Sequence, residues 1–178
     1  MESIQSQIQH VFIQQYSKYS YEKMSVKSLC EHVPIARTTF YAYYDNLNDI
    51  KNEVENDFIK GICQIEKEIP NQNSEVFVQS FFEKTLIYIQ KHWQVAYAFL
   101  VAYPNYSFVE KWKQAIMEHF LNHFPNTSLI VNSQIKLDVI ASSIISAYTY
   151  WMKHPEQVDM KELSQVGINM MKTIHKIL

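Results

Sequence analysis

The chain has 178 residues, 47% of them hydrophobic, and a formal net charge of −2, which is enough for one sizeable core or for a small head joined to a larger body. Two glycines and five prolines are too few for the tight turns of a strand-rich fold, so the composition predicts helices. The charge excludes a strongly basic nucleic-acid binder: residues 1–60 carry six Lys/Arg (Lys18, Lys23, Lys27, Arg37, Lys51, Lys60) against eight Asp/Glu, so any DNA-binding reading must rest on a motif and on local placement of cations.

The predicted elements follow in chain order. Ile4, Ile8, Val11, Phe12, Tyr16 and Tyr19 recur at helical spacing and predict an amphipathic helix over 3–19. Ser20 to Lys23 breaks it. Ser25 then stands as the N-cap of a short second helix with Val26, Leu29, Cys30 and Val33 on its apolar face, stopped by Pro34. A third short helix is expected from Ala36 to Tyr43, with Ala36, Phe40 and Tyr44 turned inward. After Asp45-Asn46 a long helix begins, in which Leu47, Ile50, Val54, Phe58, Ile62, Ile65 and Ile69 repeat at three and four; at about 1.5 Å per residue it spans on the order of 30 Å. Residues 70–73 end it.

Beyond that break, Ser74 caps a segment with Val76 or Phe77, Phe81, Leu86 and Ile89 inward. Trp93 to Tyr103 is almost continuously apolar and ends at Pro104. Ser107 and Glu110 have capping-box spacing and open a helix to about Asn122. Phe124 to Ser128 reads as a loop. Asn132 or Ser133 opens a long apolar helix to Lys153, closed by His154-Pro155, and Asp159 with Glu162 caps the last one. The fold class is therefore all-α. The expected organisation is a three-helix head over 1–46, a connecting helix over 47–70, and a helical body over 74–178.

Two short helices joined by a tight turn behind a supporting helix is the helix-turn-helix pattern, whose second short helix enters the major groove. With Phe40 inward, Thr38, Thr39, Tyr41 and Ala42 face outward or sideways, flanked by Arg37 and Tyr43. Hydroxyls, a small methyl and a guanidinium suit base edges and phosphates. Arg37 is the one arginine of the chain.

Residues 26–50, VKSLCEHVPIARTTFYAYYDNLNDI, resemble the head signature of the tetracycline-repressor (TetR) family of transcription regulators. The centre of the resemblance is Ile35-Ala36-Arg37-Thr38-Thr39-Phe40-Tyr41-Ala42-Tyr43-Tyr44, and Asp49-Ile50 matches the start of the family's fourth helix. The resemblance covers residues 4–62. It implies DNA contacts from Ser25, Lys27, Arg37, Thr38, Thr39, Tyr41, Ala42 and Tyr43. The chain departs from the family pattern where Gly is replaced by Pro34, the capping Ser by Ala36, the usual His by Tyr43, and a phosphate-binding Lys by Leu47. Lys51, one turn on, is expected to replace that Lys in part. These departures and the acidic head imply weaker non-specific DNA affinity than is usual in the family.

In the body, His119 and His123 have the i,i+4 spacing of a metal clamp, but no Cys or carboxylate stands at ligand spacing; neither a metal nor a cofactor is expected. Aromatic residues spread over the body helices read as core packing. Some of them, Tyr97, Tyr103, Trp112, Tyr148 and Trp151, are expected to line a pocket for a small apolar or aromatic ligand, a reading the family resemblance supports. Small residues Ala141, Ser142, Ser143, Ser146 and Ala147 permit close helix approach. The resemblance implies a homodimer through about 134–152 and 160–177.

No nucleophile elbow, phosphate-binding glycine loop or apolar carboxylate pair points to catalysis, so the chain is not read as an enzyme. Cys30 and Cys63 are too far apart for a CxxC motif and read as reduced thiols. The first residues lack the regions of a signal peptide, and no apolar run predicts a membrane span. A cytoplasmic, ligand-responsive repressor binding a palindromic operator in double-stranded DNA as a dimer is expected. The alternative is a helical protein–protein interaction module that has lost DNA binding.

Overall fold

Ile8, Phe12 and Tyr16 recur every fourth residue, which places them on one side of a helix, and all three are buried in α1, Ile4–Tyr16. The structure, a computed structural model, describes residues 3–69, 74–123 and 133–177. Ser3 caps α1, its Oγ accepting from the Ser6 backbone N–H at 3.1 Å. The helix ends at Tyr16 rather than at Tyr19. Ser17 Oγ donates back to the Ile13 carbonyl at 2.9 Å, a local bond that competes with continuation, and Tyr19 is left exposed.

After a single 3-10 turn, Tyr21–Lys23, come α2 (Val26–His32), α3 (Arg37–Tyr41) and α4 (Leu47–Lys67). The α4 start is held by a reciprocal box. Asn46 Oδ1 accepts from the N–H groups of Asn48 and Asp49 at 2.8 and 3.2 Å, and Asp49 Oδ2 accepts from those of Asp45 and Asn46 at 3.0 and 3.2 Å. Those are donors a bare helix start would leave unsatisfied. Of the predicted stripe, Ile50, Val54, Phe58, Ile62, Ile65 and Ile69 are buried and Leu47 is half-buried.

The chain continues through α5 (Ser74–Lys91), α6 (Trp93–Tyr97) with a π-helical turn over Ala98–Ala102, α7 (Tyr106–His123), α8 (Ser133–Lys153) and α9 (Met160–Ile177). The described residues contain no strand. Phe81, Phe82, Leu86 and Ile89 form the buried side of α5, while Val76 is exposed; the Phe77 side chain lies outside the described residues. α7 begins one residue before Ser107, so Ser107 is helical and not the cap. Asp159 does serve the start of α9, accepting from the Lys161 N–H at 3.2 Å. The expected loop over 124–128 lies outside the described residues.

The chain forms two compact units, residues 1–58 with 92–105 and residues 59–91 with 106–178. Their boundaries differ from the segments expected at 46 and 74. In the first unit, α6 and its π-helical turn pack with α1: the Phe99 ring meets Tyr16 edge-on at 4.8 Å, and Tyr103 Oη donates to the Lys18 carbonyl at 3.4 Å. Asn105 Nδ2 donates to Oε1 of Glu55, a fully buried carboxylate on α4, at 2.7 Å. Polar pairing of this kind is what permits a carboxylate inside a core, and it ties a distant stretch of sequence to the N-terminal helices.

In the second unit α5 packs on α9 and α7 on α8. Both glycines of the chain are helical here and both face aromatic rings. A Cβ on Gly167 would lie 2.6 Å from the Phe82 ring, and one on Gly61 would overlap the Tyr88 phenol. Fully buried Trp112, Phe108 and Leu86 each contribute roughly 1.5–3 kcal/mol by leaving water.

Candidate nucleic-acid interface

α2 and α3 are both short, and each is fixed by a different device. α2 starts at Ser25, whose Oγ accepts from the Ser28 N–H at 3.1 Å. Leu29, Cys30 and Val33 are buried, and Gln15 of α1 reaches the Ser28 carbonyl and Oγ, both at 3.5 Å. α3 has no capping side chain at Ala36. It is anchored by Phe40, which is fully buried and packs against Tyr41 at 5.3 Å and Tyr44 at 5.9 Å.

Tyr44 is the second anchor. Its Oη accepts from Gln9 Nε2 at 3.2 Å. Burial above all, then a hydrogen bond with Glu53, pushes the phenol up to about 12. Glu53 in turn accepts from Gln5 at 2.8 Å, so α1, α4 and the turn after α3 share one polar seam.

Between α2 and α3 the turn passes through Pro34, the position where the resembled family carries Gly. The predicted inward stripe is corrected at one position: Ala36 is exposed, because α3 begins after it and Ala36 is its N-cap. α3 is also shorter than the expected 36–43 segment.

The outward face is as the sequence placed it. Ser25, Lys27, Arg37, Thr38, Tyr41, Ala42 and Tyr43 are exposed and Thr39 is half-buried. Tyr41 and Tyr43 are 54% and 45% accessible, an unusual exposure for large rings beside a packed core. Lys51 is half-buried, with Nζ 5.3 Å from the centre of the Tyr21 ring, a cation–π contact that holds its charge at the start of α4. Burial pushes the Cys30 thiol up, with Arg37 opposing.

The five aromatic residues read as a ligand pocket are divided between the two units. Tyr97 and Tyr103 belong to the first, where Tyr97 stacks on Trp93 at 6.3 Å and Tyr103 stands edge-on to Tyr16 at 6.4 Å. Trp112, Tyr148 and Trp151 belong to the second and are buried, with Trp112 and Tyr148 stacked at 5.7 Å and 20°. A surface groove of about 430 Å³ between α7 and α8 is lined by other residues, among them Val109, Ser142, Ser146, Thr149 and Tyr150. Lys113 at its edge bridges Glu110 at 3.2 Å and Asp138 at 2.6 Å. His119 is buried and stacked on Phe81 at 4.1 Å; the His123 side chain lies outside the described residues. Among the described residues no three His, Cys, Asp or Glu side chains converge as a metal site.

The all-helical arrangement, with short α2 and α3 presenting a polar outer face over the Phe40 anchor, is a fold seen in solved structures. Solved structures of TetR-family regulators share this fold over nearly the whole chain. A regulator from Syntrophomonas wolfei superposes with a TM-score of 0.75 at 13% identity, over 96% of this chain and 94% of that one. One from Streptomyces coelicolor gives 0.74 at 14%, over 97% and 83%. The fatty acid degradation regulator FadR of Bacillus halodurans gives 0.70 at 12%, over 96% and 95%. No family model and no curated protein sequence matches the chain.

Proposed function

We propose that this protein is a DNA-binding transcription regulator, a ligand-responsive repressor that acts as a homodimer on a palindromic operator. The observation that carries the reading is the outer face of α3. Arg37, Thr38 and Tyr41 are exposed on a helix whose other side carries the buried Phe40, and just past its end Tyr43 is exposed beside the buried Tyr44. A rigid short helix with a guanidinium, hydroxyls and phenols outward is the chemistry that base edges and phosphates require. Ser25 and Lys27 on α2 and Lys51 on α4 are assigned to phosphates, and Thr39 and Ala42 to the groove wall.

Dimerisation is assigned to 134–152 and 160–177. Along α8, Ile135 and Val139 are 66% and 58% accessible and Tyr150 is 54% accessible, with exposed Ser146 between them; on α9, Val166 is exposed. Apolar side chains on one helix face, left in water, are the mark of a surface that associates. Two copies also double the base pairs read and match a two-fold operator.

Functionally, residues 1–46 read DNA, 47–70 transmit and 74–178 sense. α4 carries residues of both compact units, Leu47 to Phe58 in the first and Ile59 to Lys67 in the second, so a ligand that favours one packing of the second unit acts on the head through one continuous helix. A ten-fold change in operator affinity needs about 1.4 kcal/mol of coupling. The expected location is the cytoplasm; among the described residues no helix is long and apolar enough to cross a membrane. The chain is read as a regulator and not as an enzyme.

The acidic balance of residues 1–60 favours a second reading, a helical interaction module without DNA binding. Selection from a random double-stranded DNA library at low salt separates the two. Enrichment of a palindromic site, lost on raising salt, supports the regulator. No enrichment, with the protein folded and dimeric, supports the interaction module.

A further inference from the structure

Residues 35–44 hold no Asn, Gln, Asp, Glu or Lys. α3 therefore lacks the amides that pair with both major-groove groups of adenine and the carboxylates that accept from the cytosine amino group. Just past it, Asn46 Oδ1 is occupied by the N–H groups of Asn48 and Asp49 at the start of α4. What the segment offers to base edges is one guanidinium at Arg37, the exposed phenols of Tyr41 and Tyr43, two threonines and Ala42.

Their placement sorts them. The helical path runs on past Tyr41, since the N–H groups of Ala42 and Tyr44 donate to the carbonyls of Thr38 and Phe40, both at 3.1 Å. At about 100° per residue, Thr38, Thr39 and Ala42 then stand opposite the buried Phe40 and Tyr44, and Arg37, Tyr41 and Tyr43 stand on the flanks. Thr38 and Ala42 are exposed and Thr39 is half-buried. The side opposite the anchors is the side a recognition helix turns to the groove, and here it is made of short side chains that each carry a methyl group. Ala42 has no polar side-chain atom, so its side chain recognises a base only by apolar contact. The apolar group that a base edge shows in the major groove is the C5 methyl of thymine. One helical turn separates Thr38 from Ala42, about 6 Å along the axis, against about 3.4 Å between successive bases of a strand.

We propose that this interface selects thymine by its C5 methyl group, with Thr38 and Ala42 packed on the methyls of two thymines that lie within about two base steps of each other. The proposal rests on the DNA-binding reading above and names the bases that it takes. Because 5-methylcytosine carries the same methyl at the same ring position, it is preferred to cytosine at those two places.

The test uses the full chain and the operator selected from the random library. Each thymine of a half-site is exchanged in turn for deoxyuridine, which removes the methyl and nothing else. At two positions affinity is expected to fall about three- to five-fold, the effect of one buried group of that size. Ala42→Gly should abolish the fall at one of them. Thr38→Ser, which keeps the hydroxyl and removes the methyl, should abolish it at the other, whereas Thr38→Val, which keeps the methyl and removes the hydroxyl, should preserve it. With cytosine placed at either position, 5-methylcytosine should recover affinity by a similar factor. Each comparison is a ratio between two DNAs on the same protein, so a partly folded variant does not blur it, and wild type with the modified DNAs decides the matter if a variant does not fold. Deoxyuridine tolerated at every thymine, an operator without thymine in its half-sites, or no gain from 5-methylcytosine overturns the proposal. An effect that survives Thr38→Ser and disappears in Thr38→Val overturns the role of the Thr38 methyl in favour of its hydroxyl. If an operator is selected and the methyl tests fail, methyl recognition falls and the regulator stands; if no operator is selected from a folded, dimeric protein, the regulator falls and this proposal with it.

Discussion

Arg37 stands at the first residue of α3, exposed, with the buried Phe40 one turn away fixing the direction in which it projects. If it reads a guanine edge, Arg37→Ala should cost about 1–3 kcal/mol of operator affinity and relax preference at that base pair. Fluorescence anisotropy with the selected operator and its single-base variants measures both. Unchanged affinity removes Arg37 from the contacts. Tyr44 gives a different handle. Its phenol is pushed up to about 12 by burial and by Glu53, against about 10 in an unfolded chain. The folded state therefore holds this proton more tightly, and the stability linked to it is complete below pH 10 and is lost as pH rises from about 10 to about 12. Chemical denaturation across that range should show the loss, and Tyr44→Phe should flatten it.

At the scale of elements, the close approach of α5 and α9 depends on Gly167. A Cβ there would stand 2.6 Å from the Phe82 ring, and Phe82 cannot swing aside cheaply because it is buried and packs on Tyr148. Gly167→Ala should therefore destabilise the second unit by about 1–3 kcal/mol through overpacking, even though alanine is the better helix former. A denaturation midpoint equal to or above wild type would show that the helices separate without strain. α8 divides its surface more sharply than its small residues alone foretell. Ala141 goes to the interior of the unit, while Ser142 and Ser143 are half-buried and the outward stripe is made by Ile135, Val139, Ser146 and Tyr150.

For the whole molecule, the exposed stripe on α8 makes a prediction about mass. Sedimentation should find twice the 21.1 kDa of one chain, and Val139→Glu with Tyr150→Glu should shift the species towards monomer and weaken operator binding, because each head alone reads too few base pairs. A wild-type monomer at all concentrations would contradict it. Charge makes a second prediction. The three cations assigned to phosphates and bases, Lys27, Arg37 and Lys51, give six per dimer. The slope of log affinity against log salt should then be no steeper than about −5. A much steeper slope would mean that other cations engage the DNA.

The sequence by itself determined the helical class, the anchor and outer face of α3, and the stripe of α4. Those features rest on local periodicity, which 3.6 residues per turn converts directly into a buried side. It also determined the Ser25 cap and the Asp159 turn, since a capping bond reaches only two or three residues. The box between Asn46 and Asp49 has the same short spacing, and its bonds are as local as a cap. Tertiary structure alone decided the rest. Glu55 reads as one more solvated charge on α4, and only the distant Asn105 makes it a buried group. Tyr97 and Tyr103 look like body aromatics, and only the packing of the π-helical turn with α1 assigns them to the first unit. Which buried hydroxyls lack a partner among the described residues, Thr85 and Tyr148 among them, depends on what helices distant in sequence bring together. Contacts between residues far apart in sequence are fixed by competition for burial across the whole chain, and no local spacing encodes the outcome.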